Sequence, residues 1–246
     1  MQKSKSDICE ICHKNLIYAT KPEDYKELHC EFCKKIFNTN IYCETGHYIC
    51  DNCHSKGPIE IIERICKETN IKDPFELADL IMKHPNFKVY GPEHHVLTPA
   101  VILTSLKNNK VKKLNGDEIT LFDIKEAIRR ASKIPGGWCG FYGSCGAGMG
   151  SGIVISIFTG ATPSTNIERT LANKMTSRSL AKIADNLEHC CKRSVKISIC
   201  ETFDFLKQEF NISLDFKHKS CAFSDINNKC EKMRCSFFKQ EIQNNS

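Results

Sequence analysis

The stretch GGWCGFYGSCGAGMGSGIVISIFTGA, residues 136–161, decides the fold class, because each way of reading it implies a different architecture. As a membrane span it fails: its most apolar part, Gly146 to Ala161, is shorter than the ~20 residues a bilayer core requires, and five glycines interrupt it. As a nucleotide-phosphate loop it fails too. No β-branched strand precedes it, no Lys-Ser/Thr pair follows, and its glycines do not meet the spacing that dinucleotide binding needs. What remains is a small-residue helix buried in protein and entered through a loop rich in glycine and cysteine, which places the chain in the mainly α class.

Outward from that stretch, helix starts recur with capping chemistry. Asp73-Pro74-Phe75-Glu76, Thr120-Leu121-Phe122-Asp123 and Thr165-Asn166-Ile167-Glu168 each put a side-chain acceptor at the N-cap and an acid three residues on. Thr98-Pro99 reads as a fourth start, with proline at the first helical position. Leu121, Ile124, Ile128 and Ala131 then recur at helical spacing. Helices are expected near 59–69, 74–84, 98–109, 121–133, 147–160, 165–187 and 192–210, with few strands outside the first domain. The composition break at Lys56-Gly57-Pro58 separates a small domain, 1–57, from a helical domain, 58–246.

The 246 residues are 41% hydrophobic and carry a formal charge of +6, ordinary values for a globular chain, but sixteen of them are cysteine. Residues Met1 to Ser6, MQKSKS, do not read as a secretory leader, so a cytoplasmic location is expected and a disulfide scaffold is not. Closely spaced cysteines in a reducing compartment are metal ligands more often than staples. Seven of them fall in residues 1–57 and, with one histidine, make four pairs: Cys9 and Cys12, Cys30 and Cys33, Cys43 and His47, Cys50 and Cys53. A two-residue spacer turns both sulfurs toward one ion, and tetrahedral zinc takes two such pairs, so two closed structural zinc sites are expected in a RING-like module or a double zinc ribbon. Neighbouring pairs could join, or the first could join the third and the second the fourth; the interleaved order is preferred. His54, adjacent to Cys53, is expected to be exposed.

The second half adds Cys139 and Cys145 on the glycine loop, the vicinal Cys190 and Cys191, and a basic tail with Cys221, Cys230 and Cys235. Glycines that let N–H groups approach inorganic sulfur suit a [4Fe-4S] cluster, with Cys139, Cys145, Cys191, Cys221, Cys230 and Cys235 converging beside Trp138. Two plainer readings stand beside this one. The glycines serve close helix packing, or the tail cysteines close a third zinc site with one earlier cysteine. Cys66 and Cys200 fall inside helices and read as core. His94 and His95 follow Gly91-Pro92 and are expected on a turn, where with Cys190 and Cys191 they are the candidates for proton transfer or catalysis. Arg129-Arg130 and Lys192-Arg193 read as solvated helix faces. Locally basic stretches, Lys107 to Lys113 and Lys229 to Lys239, permit nucleic acid without demanding it.

In its cysteine and glycine motifs the chain resembles an uncharacterised cysteine-rich domain family of anaerobic archaea and bacteria, sometimes appended to S-adenosylmethionine-dependent methyltransferases. The resemblance is carried by Cys43-Glu44-Thr45-Gly46-His47-Tyr48-Ile49-Cys50-Asp51-Asn52-Cys53-His54, Tyr90-Gly91-Pro92-Glu93-His94-His95, the glycine loop and Cys190-Cys191-Lys192-Arg193. It implies metal and anaerobic redox or sulfur chemistry without fixing a reaction, and a methyltransferase or redox protein as partner. The expected function is an iron–sulfur redox or sulfur-chemistry protein with a structural zinc module. The alternative is a zinc-only module that docks a partner protein or RNA.

Overall fold

A computed structural model describes residues 8–50, 53, 57–185, 187–216 and 220–238. His54, the residues Met1 to Ser6 and the end of the basic stretch at Lys239 lie outside the described residues.

The front of the chain holds four short strands in two antiparallel pairs. Strand β1 (Leu16–Tyr18) pairs with β4 (Ile41–Cys43), Leu16 opposite Cys43, and β2 (Lys26–His29) pairs with β3 (Ile36–Thr39), Lys26 opposite Thr39. Two-stranded ribbons of this length are marginal alone, so the module needs a further constraint to be stable. Beyond it, the pairing found among the described residues is the isolated bridge between Lys112 and Glu118.

Eight α-helices follow among the described residues: α1 (Pro58–Glu68), α2 (Pro74–Met82), α3 (Glu93–Asn108), α4 (Leu121–Ala131), the single turn α5 (Trp138–Phe141), α6 (Gly146–Thr159), α7 (Asn166–Ile183) and α8 (Cys191–Phe210). The expected capping forms at two of the helix starts. Asp73 Oδ1 accepts from the N–H groups of Phe75 and Glu76 at 2.8 and 3.2 Å, and Thr120 and Asp123 form a reciprocal box at the start of α4. Thr165 takes the N-cap position of α7 without a side-chain bond into the helix. No helix among the described residues is long and apolar enough to cross a membrane.

The start expected at Thr98-Pro99 is corrected. Helix α3 begins at Glu93, so His94 and His95 lie in its first turn rather than on a connecting turn, and Pro99 sits inside the helix. Pro92 takes the N-cap, and the N–H of His95 bonds its carbonyl at 2.9 Å. A proline at this depth removes one helical bond, the one to the His95 carbonyl, and the neighbouring helix is shaped to that spot.

Helix α3 is buried from Glu93 to Leu106 and forms the axis of the domain, with α1, α2, α4, α6 and α8 packed against it. Its buried hydroxyls are satisfied within reach: Thr98 donates to the His94 carbonyl, Thr104 to the Ala100 carbonyl and Ser105 to the Lys72 carbonyl. Helix α6 packs between α3 and α7, and its glycines divide between the two neighbours. A Cβ on Gly146 would come within 2.2 Å of the His95 ring, and one on Gly150 within 2.8 Å of Pro99 Cδ and 3.2 Å of the His95 carbonyl. On the other side, a Cβ on Gly152 would meet Thr176 Oγ1 at 1.9 Å and the Ala172 carbonyl at 3.0 Å. These glycines therefore serve close packing, and buried Val154, Ile155 and Phe158 add hydrophobic contact at about 1.5–3 kcal/mol each.

Replacing Gly152 by valine should force α6 from α7, cost about 2 kcal/mol and lower Tm by roughly 4–8 °C. Gly140→Ala, whose Cβ meets nothing within 4 Å, should leave thermal unfolding followed by circular dichroism unchanged.

Candidate functional site

The front cysteines gather in two groups. The ligand atoms of Cys9, Cys12, Cys43 and His47 all lie within 4.8 Å of one another, and so do those of Cys30, Cys33, Cys50 and Cys53. The first pair thus joins the third, and the second joins the fourth. Two knuckles of one design present the leading pairs. His13 and Lys34, each directly after the second cysteine, adopt left-handed φ values of 59° and 58°, and their N–H groups return to the carbonyls of Cys9 and Cys30 at 2.8 and 2.9 Å. Bonds of ~2.3 Å to a tetrahedral ion imply sulfur separations of about 3.8 Å. The separations are 3.4 Å for Cys12 and Cys43, 3.3 Å for Cys30 and Cys53, and 3.8 Å for Cys33 and Cys50. Both groups could hold a metal ion.

Hydrogen bonding prepares some of these thiols to ionise. Burial alone pushes Cys43 up, yet hydrogen bonds from Thr45 and His47 outweigh it and bring the thiol down to about 6. Cys30 is held at about 7 in the same way, by backbone N–H groups of Cys33, Cys50 and Phe32 acting against its burial. The second group is tied into the helical domain: Arg64 Nη2 of α1 lies 2.5 Å from Cys53 Sγ, and the His84 ring packs at 4.3 Å on Phe32 with Nε2 2.9 Å from the Cys53 carbonyl. Four thiolates around a divalent ion leave a net negative charge, which Arg64 offsets.

A different arrangement occupies the helical domain. Cys139, Cys145, Cys191 and His189 line a cavity of about 270 Å3, with His94 and His95 on its wall. Three helix N-termini meet there: the first turn of α3 bears the two histidines, Cys145 is the N-cap of α6, and Cys191 opens α8. Their dipoles favour anions and thiolates. His189 Nε2 lies 3.5 Å from Cys191 Sγ and 3.9 Å from Cys139 Sγ, and its ring stacks on Tyr90 at 5.4 Å. Sequence reading passed over His189; its position beside Cys190-Cys191 was the only signal available.

The imidazoles are held neutral. Burial, and then the charge of Lys192, pushes His94 down to about 3; burial also lowers His95, and burial with Lys229 and Arg193 lowers His189. Nδ1 of His94 lies 3.0 Å from the Gly91 carbonyl and Nδ1 of His95 lies 3.2 Å from the Ile134 carbonyl, which places the proton on Nδ1 and leaves Nε2 of each as a lone-pair donor. His94 Nε2 is buried without a hydrogen-bond partner among the described residues. Cys191, by contrast, is pushed up to about 12 by burial, so it ionises only with a cation at hand.

The six cysteines expected to converge beside Trp138 are divided between two pockets. Cys221, Cys230 and Cys235 line a separate pocket of about 30 Å3 together with Cys190, while Cys191 faces the cavity. On a helix, adjacent residues point about 100° apart, so the vicinal pair divides between two places. Trp138 packs on Tyr142 at 5.1 Å and does not line the cavity. Lys192 and Arg193, expected in solvent, are buried, whereas Arg129 and Arg130 both grip Glu126 at the surface. Cys66 is fully buried in α1 and Cys200 half-buried in α8. A further concavity, about 580 Å3, lies along β1, β3 and β4; Cys9 and His47 on its wall already belong to the first cysteine group.

No curated protein and no solved structure matches the chain. One family model does, over residues 62–238, more than two thirds of the length. That span takes in the cavity and the tail cysteines and leaves out all eight front ligands. The chain belongs to the family of unknown function DUF5714.

Proposed function

We propose that this chain is a metalloprotein with divided roles, in which the front module holds two structural zinc ions and the cavity of the helical domain holds an iron–sulfur centre for electron transfer or sulfur chemistry. The observation that carries this reading is the meeting of three thiols and an imidazole in one open cavity at the N-termini of three helices. The front groups each present four ligands, a closed set that leaves no position for substrate, and their interleaved order is the one RING-type modules use. The cavity has space beyond its ligands.

Cys139, Cys145 and Cys191 would bind the iron, and the helix dipoles would offset the negative charge of centre and thiolates. His189 as fourth ligand closes the centre for electron transfer; His189 held as a hydrogen-bond donor to Cys191 leaves one iron open to a small sulfur-containing or anionic substrate. His94 and His95, each with a bare Nε2, are placed to accept a hydrogen bond from that substrate. Such a centre calls for a reducing, cytoplasmic setting and an electron-carrying partner, or the methyltransferase that the family resemblance implies. A second reading, a zinc-only interaction module that docks protein or RNA, is favoured by one fact: among the described residues the tightly gathered ligand groups are the two in front.

Anaerobic purification with metal and sulfide analysis should find iron and acid-labile sulfide beside zinc, with visible absorbance. Cys139→Ser or Cys145→Ser should abolish the iron and keep the zinc; a colourless protein with zinc alone would establish the second reading instead. For the front module, Cys12→Ser combined with Cys43→Ser should cost one zinc equivalent, and Cys12→Ser combined with Cys33→Ser should cost two. The reverse outcome would mean that neighbouring pairs share an ion.

A further inference from the structure

We propose that Cys190, Cys221, Cys230 and Cys235 form a third metal site, a closed tetrathiolate that binds one zinc ion and clamps the tail, residues 220–238, onto the start of α8. This site is independent of the iron–sulfur reading of the cavity. These four cysteines line one small pocket, of about 30 Å3, and four thiolates are a closed set for one tetrahedral zinc ion.

The backbone around these sulfurs is arranged as in the front groups. The N–H of Phe223 points at Cys221 Sγ and that of Lys232 at Cys230 Sγ, both at 3.4 Å and both two residues on, as the N–H of Thr45 points at Cys43 Sγ at 3.4 Å. Cys190 is the N-cap of α8: its sulfur accepts from the Arg193 N–H at 3.5 Å and from Asn227 Nδ2 of the tail at 3.6 Å. Donors of this kind stabilise thiolate over thiol.

Charge supplies the second, separate argument. Lys192 is 1% exposed, and its ammonium meets the carbonyls of Met82 and Lys88 at 3.4 Å and the rings of Phe223 and Phe87 at 4.4 and 5.4 Å. Its buried neighbours in the same pocket have carboxylates: Lys196 pairs with Asp79 at 2.7 Å and Arg193 with Asp185 at 3.1 Å. A buried cation needs a counter-charge, and four thiolates on one zinc ion carry two negative charges beside it.

Beside its cysteines the tail has one regular element, the 3-10 turn Lys232–Arg234; it packs through Phe223 and Phe237 and accepts hydrogen bonds from the Tyr90 hydroxyl at Asn227 and from the Glu188 N–H at Glu231. The sulfurs ring their pocket more loosely than the front ligands, which are the groups gathered within 4.8 Å, so zinc would draw the tail inward.

The test is native mass spectrometry of the full chain, purified with zinc under reducing conditions. The unaltered chain should carry three zinc ions. Cys190→Ser and Cys235→Ser should each carry two, with the helical circular dichroism retained, and trypsin should then cut the tail at Lys229 and Lys232. Cys235→His, which keeps a zinc ligand, should restore the third ion, and Cys191→Ser should keep all three. Two zinc ions in the unaltered chain, or three in the Cys190→Ser variant, would overturn the proposal. Absence of iron from the cavity would leave these zinc counts unmoved, so the two proposals fail separately.

Discussion

The contact on which this molecule turns is the approach of α6 to α3 at Gly146 and Gly150. A hydrogen in place of a side chain at Gly146 leaves room for the His95 ring, and the same economy at Gly150 seats Pro99. Because α6 lies that close, its N-cap Cys145 comes to the first turn of α3, and the cavity has walls from both helices. Close packing and thiol chemistry are therefore one arrangement: the glycines that lower helix propensity are what let the N-termini converge.

Burial and ionisation pull against each other at Cys30, Cys43 and Cys191, and the molecule resolves the conflict differently from place to place. In the front groups, N–H and hydroxyl donors bring Cys30 and Cys43 down despite their burial. In the cavity, Cys191 has burial without comparable donors and rises to about 12, while the imidazoles around it are kept neutral. Neutral imidazoles and a protonated Cys191 carry no charge, so a cation that took Cys191 as a ligand would release its proton. Half-buried Arg64 beside Cys53 and buried Lys192, two residues along from Cys190, are cations placed where thiolates would form.

The cavity and the tail pocket are not isolated. Tyr90 stacks on His189 and donates its hydroxyl to Asn227 Oδ1 at 2.6 Å, while Asn227 Nδ2 reaches Cys190 Sγ. His189, Cys190 and Cys191, three consecutive residues at the mouth of α8, are shared between two sets of partners. A short link of this kind gives the tail a means of positioning the imidazole in the cavity.

Local chemistry along the chain was enough for the helices, the front ligand pairs and the mainly α class. Capping boxes, apolar spacing and two-residue knuckles act within a few residues, so their signals lie side by side in the sequence. The same locality explains the error at Thr98-Pro99: a proline that opens a helix and one that sits inside it differ only in what packs against the freed carbonyl. His189, the division of Cys190 from Cys191 and the burial of Lys192 belonged to the tertiary structure alone. Each depends on which distant segment lies opposite, and a run of adjacent polar residues does not say which way each will turn.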